Sequence, residues 1–284
     1  MLEVVADGLF LGLIYALLAS GLALVFGLLF TINFAQGAFY MAGAFVAYEV
    51  GSGVHSLVVG IIVAAVGLGA AGVLLQRYLL ARLTVFNQFI ATFGIAIILQ
   101  EGANLVWGGL PRTYPVPVSG LIRIGSFDYP AYRVVVMACS AVILGVLILL
   151  LYRTRIGVVL RAAAESGEIA STIGINVPLV GAAIFGLGTA LAAVSGGLVL
   201  PIYGGDAYMG VPVLVASFAI VILGGLGSFA GSVLAALVIG MTTSIFERYW
   251  PIGSDVQLYV IIAVVLIARP RGLLGRVGVG DALG

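Results

Sequence analysis

Lysine is absent from this chain of 284 residues, and all twelve basic residues are arginine. A P-loop needs its lysine to reach the phosphates, and Schiff-base chemistry needs a lysine amine, so both are excluded. The single histidine, His55, leaves no histidine metal cluster, and reads as a loop residue. The single cysteine, Cys139, lies in an apolar run, so no intramolecular disulfide forms and the thiol reads as a small buried hydrophobe. Charge of either sign is scarce. Only 8% of residues are charged, against about 25% in soluble domains, too few to cover a folded surface with hydrated groups. The net charge of +1 gives no support for a nucleic-acid partner.

What is there is hydrophobicity: 63% of residues, in runs near the roughly 20 residues that span a bilayer. In lipid, only helices or closed barrels satisfy every backbone N–H and C=O. The runs are continuous and not alternating in the manner of barrel strands. The pattern predicts an all-α polytopic transmembrane helix bundle, one membrane domain over residues 1–284. Apolar runs cover 8–30, 36–50, 56–75, 88–107, 132–152, 179–201, 213–223, 229–246 and 256–268. The 213–223 run falls short of the usual minimum of about 17 residues, so eight or nine spans are expected. The N-terminus carries Glu3 and Asp7 and no basic region, unlike a cleaved signal peptide. A polar, proline-rich loop fills 108–130.

Arginine bias sets the orientation. Arg77, Arg82, Arg153, Arg155, Arg161, Arg269, Arg271 and Arg276 fall on one side, which places the C-terminus and residues 153–177 in the cytoplasm.

Polar residues inside apolar runs are the functional candidates. Residues 31–37, TINFAQG, interrupt the first two runs with Asn33, Gln36 and Gly37. Such a break either lines a translocation pathway or is a plain turn between helices. Gln100, Glu101 and Asn104 lie within about one turn and either line a polar pathway or bond within the structure. Residues 153–177, RTRIGVVLRAAAESGEIASTIGINV, form the one internal segment that is polar, arginine-bearing and helix-like. Arg161 and Glu165 stand at i,i+4 on a helix face, Gly167 interrupts it, and Gly174 ends it before Pro178. One or two short amphipathic helices follow, which either dock in a partner's groove or anchor at the membrane surface.

The run RAAAESGEIASTIGIN followed by PLVGAAIFGLGTALAAVSGGL resembles the cytoplasmic loop and next span of branched-chain amino acid ABC-transporter permeases. GLIYALLASGLALVFGLLFTINFAQGAFYMAGAF is similar to the LivH-type subunit of that family, where a span runs into an INFAHG-like motif; ILGGLGSFAGSVLAALVIG and the terminal RPRGLLG also match. The resemblance implies a permease importing branched-chain or other small amino acids, or a related small solute, by alternating access in a bacterial inner membrane. It implies no cofactor in this chain and ATP bound by two cytoplasmic ATPase subunits. A second, LivM-type permease subunit and an extracytoplasmic solute-binding protein would complete the complex. Residues 153–177 become the ATPase-coupling segment, with Arg161, Ala163, Ala164, Glu165 and Gly174 at the contact. Gln36 stands where many relatives have histidine. An ion-coupled secondary transporter and a passive channel are the rival expectations, and Glu101 is the only candidate for a mid-span ion-binding carboxylate.

Overall fold

A computed structural model describes residues 1–124, 127–165, 167–269 and 272–274. The helices are α1 (Leu2–Leu29), α2 (Gln36–Val54), α3 (Leu57–Tyr78), α4 (Val85–Trp107), α5 (Ala131–Arg153), α6 (Arg155–Glu165), α7 (Gly167–Thr172), α8 (Val177–Tyr203), α9 (Gly210–Gly224), α10 (Phe229–Tyr249) and α11 (Pro251–Ala268). Among the described residues six helices, α1, α3, α4, α5, α8 and α10, are long and apolar enough to cross a membrane. With α2, α9 and α11 they correspond one to one with the nine apolar runs. The protein is an all-α, polytopic membrane bundle. The short run is now α9, 15 residues or about 22 Å at 1.5 Å per residue, less than the roughly 30 Å hydrocarbon thickness.

Helix starts follow local chemistry. Thr84 accepts a hydrogen bond from the Asn87 amide at the start of α4 (3.4 Å), Asn176 from Leu179 at α8 (3.1 Å), and Ser228 from Gly231 at α10 (3.1 Å). Each satisfies an otherwise orphaned donor. Pro178 and Pro251 occupy first-turn positions, where a missing N–H costs nothing.

The chain divides into two compact units. One comprises residues 24–115 and 145–214, in which α2, α3 and α8 pack most closely. Helices in lipid gain from close packing more than from hydrophobicity, and small residues permit it. A Cβ on Gly43 would overlap the Ala193 backbone, and one on Gly196 would overlap the Tyr40 carbonyl. The other unit comprises residues 1–23, 116–144 and 215–284. There α1 lies against α10, and the Ser244 hydroxyl donates to the Val4 carbonyl (2.7 Å). Residues 273 and 274 return to the end of α9, their amides donating to Leu223 (2.8 Å) and Gly224 (3.1 Å).

The 108–130 stretch is more ordered than a polar loop. Strands β1 (Leu121–Ile124) and β2 (Phe127–Pro130) form an antiparallel hairpin, with Ile122 opposite Tyr129 and Arg123 opposite Asp128. Aromatic and β-branched residues pair well across strands. This local pairing is masked in the sequence by its prolines and glycines.

Candidate functional site

The break between α1 and α2 is the most densely bonded polar region among the described residues. After Leu29 the chain turns through Phe30 at φ +51°, a left-handed conformation that bulky side chains avoid. Holding it costs on the order of 1–3 kcal/mol, which the surroundings must offset. Thr31, Asn33 and Gln36 are almost wholly buried. The Asn33 side-chain oxygen accepts from the Ala35 amide (3.0 Å), and its amide group donates to Gln36 Oε1 (3.2 Å). Gln36 Nε2 donates to the Gly188 carbonyl of α8 (3.1 Å). On the other flank Thr31 donates to Gln88 of α4, and the Phe34 amide donates to the Thr92 hydroxyl (3.3 Å). Gln88 in turn donates to the carbonyls of Leu80 (2.9 Å) and Leu83 (3.1 Å). The break is thereby fixed to α4, to α8 and to the turn before α4.

Its depth follows from its partners. Gly188 is eleven residues beyond Val177, the start of α8, about 17 Å along that helix. A plain turn at the water interface would not sit there. Non-helical backbone at membrane depth is tolerated where protein surrounds it or where it borders a cavity. Both hold here. Beside the break, Phe34, Gly37, Met41, Ala96, Gln100 and Leu214 help to line an apolar recess of about 40 Å³. It exceeds the roughly 10–15 Å³ that one water needs and is far below the roughly 300–1,000 Å³ of a formed ligand pocket.

A second interruption meets the first. Residues 204–209 are non-helical between α8 and α9, and Gly210 begins α9 against Gly37 at the start of α2. A Cβ on either glycine would overlap the carbonyl of the other. Two helix starts therefore face one recess. Beyond it, Met41, Phe45, Ala103 and Ala207 form a buried cluster. Phe45 stacks on Trp107 (centroids 4.6 Å apart), whose indole N–H donates to Glu49 (2.6 Å). Arg112 and Gly205 exchange two backbone hydrogen bonds of 2.8 Å each.

The predicted pathway residues are thus only partly gathered. Gly37 and Gln100 line the recess. Asn33 and Gln36 are buried in the break, bonded to each other. Glu101 is exposed, because successive helical residues point about 100° apart, while Asn104, one turn beyond Gln100, is half-buried. Gln88 and Thr92 went unnoticed in the sequence. Their signal was a polar pair at i,i+4 within an apolar run.

In the 153–177 segment, α6 follows α5 after one residue. The Thr154 hydroxyl donates to Leu150 (2.6 Å) and accepts from Gly157 (3.2 Å), closing the corner. Arg161 donates to the Leu151 carbonyl, and its guanidinium lies over the Tyr152 ring (5.6 Å). A cation at the C-terminus of α5 complements the exposed carbonyls there. Ala163 is buried. The side chains of Ala164 and Glu165 lie outside the described residues, and so does the expected Arg161–Glu165 pair. α7 begins at Gly167, the position expected to interrupt the segment. Gly174, at φ +87°, ends α7: its amide bonds to Ser171 (3.1 Å) and that of Ile175 to Ala170 (3.0 Å). This is the glycine-terminated helix stop in which a left-handed residue satisfies the last carbonyls. Ile156, Val158, Ile169 and Ile173 project outward from the segment.

The other unit holds a charged cluster. Asp7 accepts from Arg133 (2.6 Å) and from the Tyr129 hydroxyl (2.9 Å) on the same carboxylate oxygen. Arg133 also lies over the Phe10 ring (5.2 Å). Burial, and then the Asp7 carboxylate, push the Tyr129 phenol well above its ordinary range. Among the described residues no group of three or more histidine, cysteine, aspartate or glutamate side chains is placed to hold a metal.

The comparisons with known proteins extend over nearly the whole chain. The profile of a family described as the permease component of branched-chain amino acid transport systems matches residues 4–269. The high-affinity branched-chain amino acid transport system permease protein LivH of Escherichia coli K12 is 29% identical, over 97% of this chain and 96% of that protein. LivH of Salmonella typhimurium is 30% identical with the same coverage. The corresponding permease BraD of Pseudomonas aeruginosa is 28% identical, again over 97% of this chain and 96% of its own length. No solved structure matches.

Proposed function

The chain belongs to the branched-chain amino acid transport permease family, and on that basis we propose that it is a membrane-spanning subunit of an ATP-binding-cassette importer. It moves branched-chain amino acids, or a related small solute, across a bacterial inner membrane by alternating access. Two cytoplasmic ATPase subunits supply the energy, a second permease subunit completes the pathway, and an extracytoplasmic binding protein delivers the solute. The chain itself hydrolyses nothing.

The geometry that carries the placement is the meeting of two helix interruptions at Gly37 and Gly210 beside the recess. Transporters present backbone groups to solutes at discontinuous helices near the bilayer midplane, and Ala96, which lines the recess, is the midpoint of α4. Asn33 and Gln36 hold the break in place, while Gly37 and Gln100 meet the solute. Asn104, one turn beyond Gln100 on the same face of α4, extends this pathway, whereas Glu101 faces away from it. The recess is small, so it describes a closed state that widens when the helices reorient. A solute is driven only if it interacts differently with the two states.

Coupling enters through residues 153–177, with the C-terminus on the same cytoplasmic face. The outward Ile156, Val158, Ile169 and Ile173 give the ATPase an apolar surface, while Arg161, Ala163 and Gly174 fix the helices that present it. Ala164 and Glu165 complete the contact.

The test is transport by the complex reconstituted in liposomes. Glu165→Arg lowers ATPase association and ATP-driven uptake by tenfold or more, with the chain still inserted. Normal uptake by that variant removes the coupling role. Uptake by the chain alone under an ion gradient, with no ATPase present, overturns the importer reading.

A further inference from the structure

We propose that the outward face of α4, carrying Asn87, Ile90, Gly94, Ile98, Glu101 and Leu105, packs against a membrane helix of the second permease subunit and not against lipid. The proposal rests on the permease reading for the identity of the occupant. The surface itself is argued from the chain.

α4 has two unlike faces. Gln88, Thr92, Ala96, Gln100, Ala103 and Trp107 look toward the break, the recess and the buried cluster. The opposite stripe, at the i, i+3, i+4 and i+7 spacing of one helix face, is exposed apart from the half-buried Gly94: Ile98 at 71% and Leu105 at 87%.

A lipid-facing stripe should be the most apolar part of a span. Here the order is reversed. Of the six candidate spans α4 is at once the least buried and the least apolar. Short of the terminal Arg77 and Arg153, the exposed residues of α3, such as Val58, Ile62 and Val66, and of α5, such as Val142, Val146 and Leu149, are apolar or glycine. Those faces fit lipid. On α4 the equivalent stripe holds a carboxylate.

Depth makes this decisive. Glu101 is five residues from the helix midpoint, about 8 Å along the axis, inside a hydrocarbon half-thickness of about 15 Å. Ionisable residues at such depth face protein or a water-filled cavity. Among the described residues none bonds to the Glu101 carboxylate, and under this proposal the occupant of the outward face supplies its partner. A carboxylate only accepts hydrogen bonds, so the occupant presents a donor at that level.

The glycines agree. Gly43 and Gly196 are each pressed against the backbone of a neighbouring helix. Gly94, on the outward stripe, and Gly102, on its flank, meet nothing within 4 Å. Small residues allow two membrane helices to approach closely, and on α4 the space is open for one. A stripe running from Asn87 to Leu105 is matched by an occupant that itself spans the membrane.

The experiment uses the whole complex in native membranes. A photo-reactive benzoylphenylalanine is placed at Ile98 and, as the lipid-facing control, at Val66. The expected result is an Ile98 adduct identified by mass spectrometry as a permease subunit, whether a homologue or a second copy, with none from Val66. Lipid adducts alone at Ile98, or capture of any other protein, overturn the proposal. In parallel, Glu101→Leu lowers recovery of the second subunit after detergent extraction about tenfold, the loss of one hydrogen bond to a charged group. Glu101→Gln, which still accepts, retains it. The thermal midpoint of the isolated chain is unchanged in both variants. Full recovery with Glu101→Leu sinks the proposal, since a lipid-facing carboxylate replaced by leucine should only help. Adduct formation without ATP-driven uptake would spare this interface and sink the importer reading instead.

Discussion

The two polar clusters of this molecule solve the same problem in opposite ways. Around Asn33 and Gln36 no member is charged, and Thr31, Asn33, Gln36 and Thr92 are almost wholly buried. Around Asp7 a formal ion pair carries the load, with side chains 30% and 31% exposed. The first lies deep along α4 and α8; the second lies at helix ends, beside the hairpin. The difference is one of solvation. Far from water, an unpaired charge costs far more than an amide or hydroxyl whose bonds are complete. Near a helix end, a carboxylate and a guanidinium keep part of their hydration and still gain a short, charge-assisted bond. Depth selects the chemistry.

The largest expected effect lies in the neutral cluster. Gln36→Leu removes at least two hydrogen bonds, to Asn33 and to the Gly188 carbonyl, and takes that acceptor from the Asn33 amide group in the interior. We expect about 3 kcal/mol of destabilisation, read as a fall in the thermal midpoint in detergent, and the deficit should not change with salt or between pH 5 and pH 9. A smaller loss than that of the next variant would reverse the comparison. Asp7→Ala separates Arg133 and Tyr129 from their shared acceptor, and here about 1–2 kcal/mol is expected because water takes over part of the lost bonding.

A third effect is specific to the charged cluster. The Tyr129 phenol is raised above its ordinary value of 10.0. Its contribution is therefore complete below about pH 10, where the tyrosine is protonated folded or unfolded. Above that, the unfolded chain loses the proton first, so stability falls as pH rises toward the folded value. The wild-type midpoint should drop more steeply above pH 10 than that of Tyr129→Phe. Parallel curves would remove the phenol from the account. The smallest effect is ionic: raising salt from about 0.1 M to 1 M should weaken the Asp7–Arg133 pair by less than about 1 kcal/mol and leave the Gln36→Leu deficit unchanged. Equal salt dependence in both clusters would end the distinction.

Much of this was readable in the chain. The break was legible because Asn33 and Gln36 stand between two apolar runs, where polarity needs a reason. The short α9 was legible from its length, and the α7 boundaries from Gly167 and Gly174. The anchors were not. Gln88 and Thr92 meet the break from 57 and 58 residues away, and no local pattern encodes such a pairing. The hairpin hid among prolines and glycines, and Asp7 gave no sign that it would be shared by Arg133 and Tyr129. Gln100 and Glu101 looked like one polar patch because adjacency in sequence hides the 100° between successive helical residues; in the fold Gln100 lines the recess and Glu101 is exposed.

α8 is unbroken from Val177 to Tyr203, and this has a mechanical consequence. Its first turn is gripped by Asn176 and by the stop at Gly174; eleven residues along, its Gly188 carbonyl holds Gln36. A helix is stiff along its axis, so a push at the foot of α8 arrives at the break as the same push. α8 is a rod with a handle at one end and a latch at the other, and the latch includes an amide bond of 3.1 Å. A stroke of little more than an ångström along that rod would stretch this bond past hydrogen-bonding range, while the bonds from Thr31 and Phe34 to α4 keep the break in place.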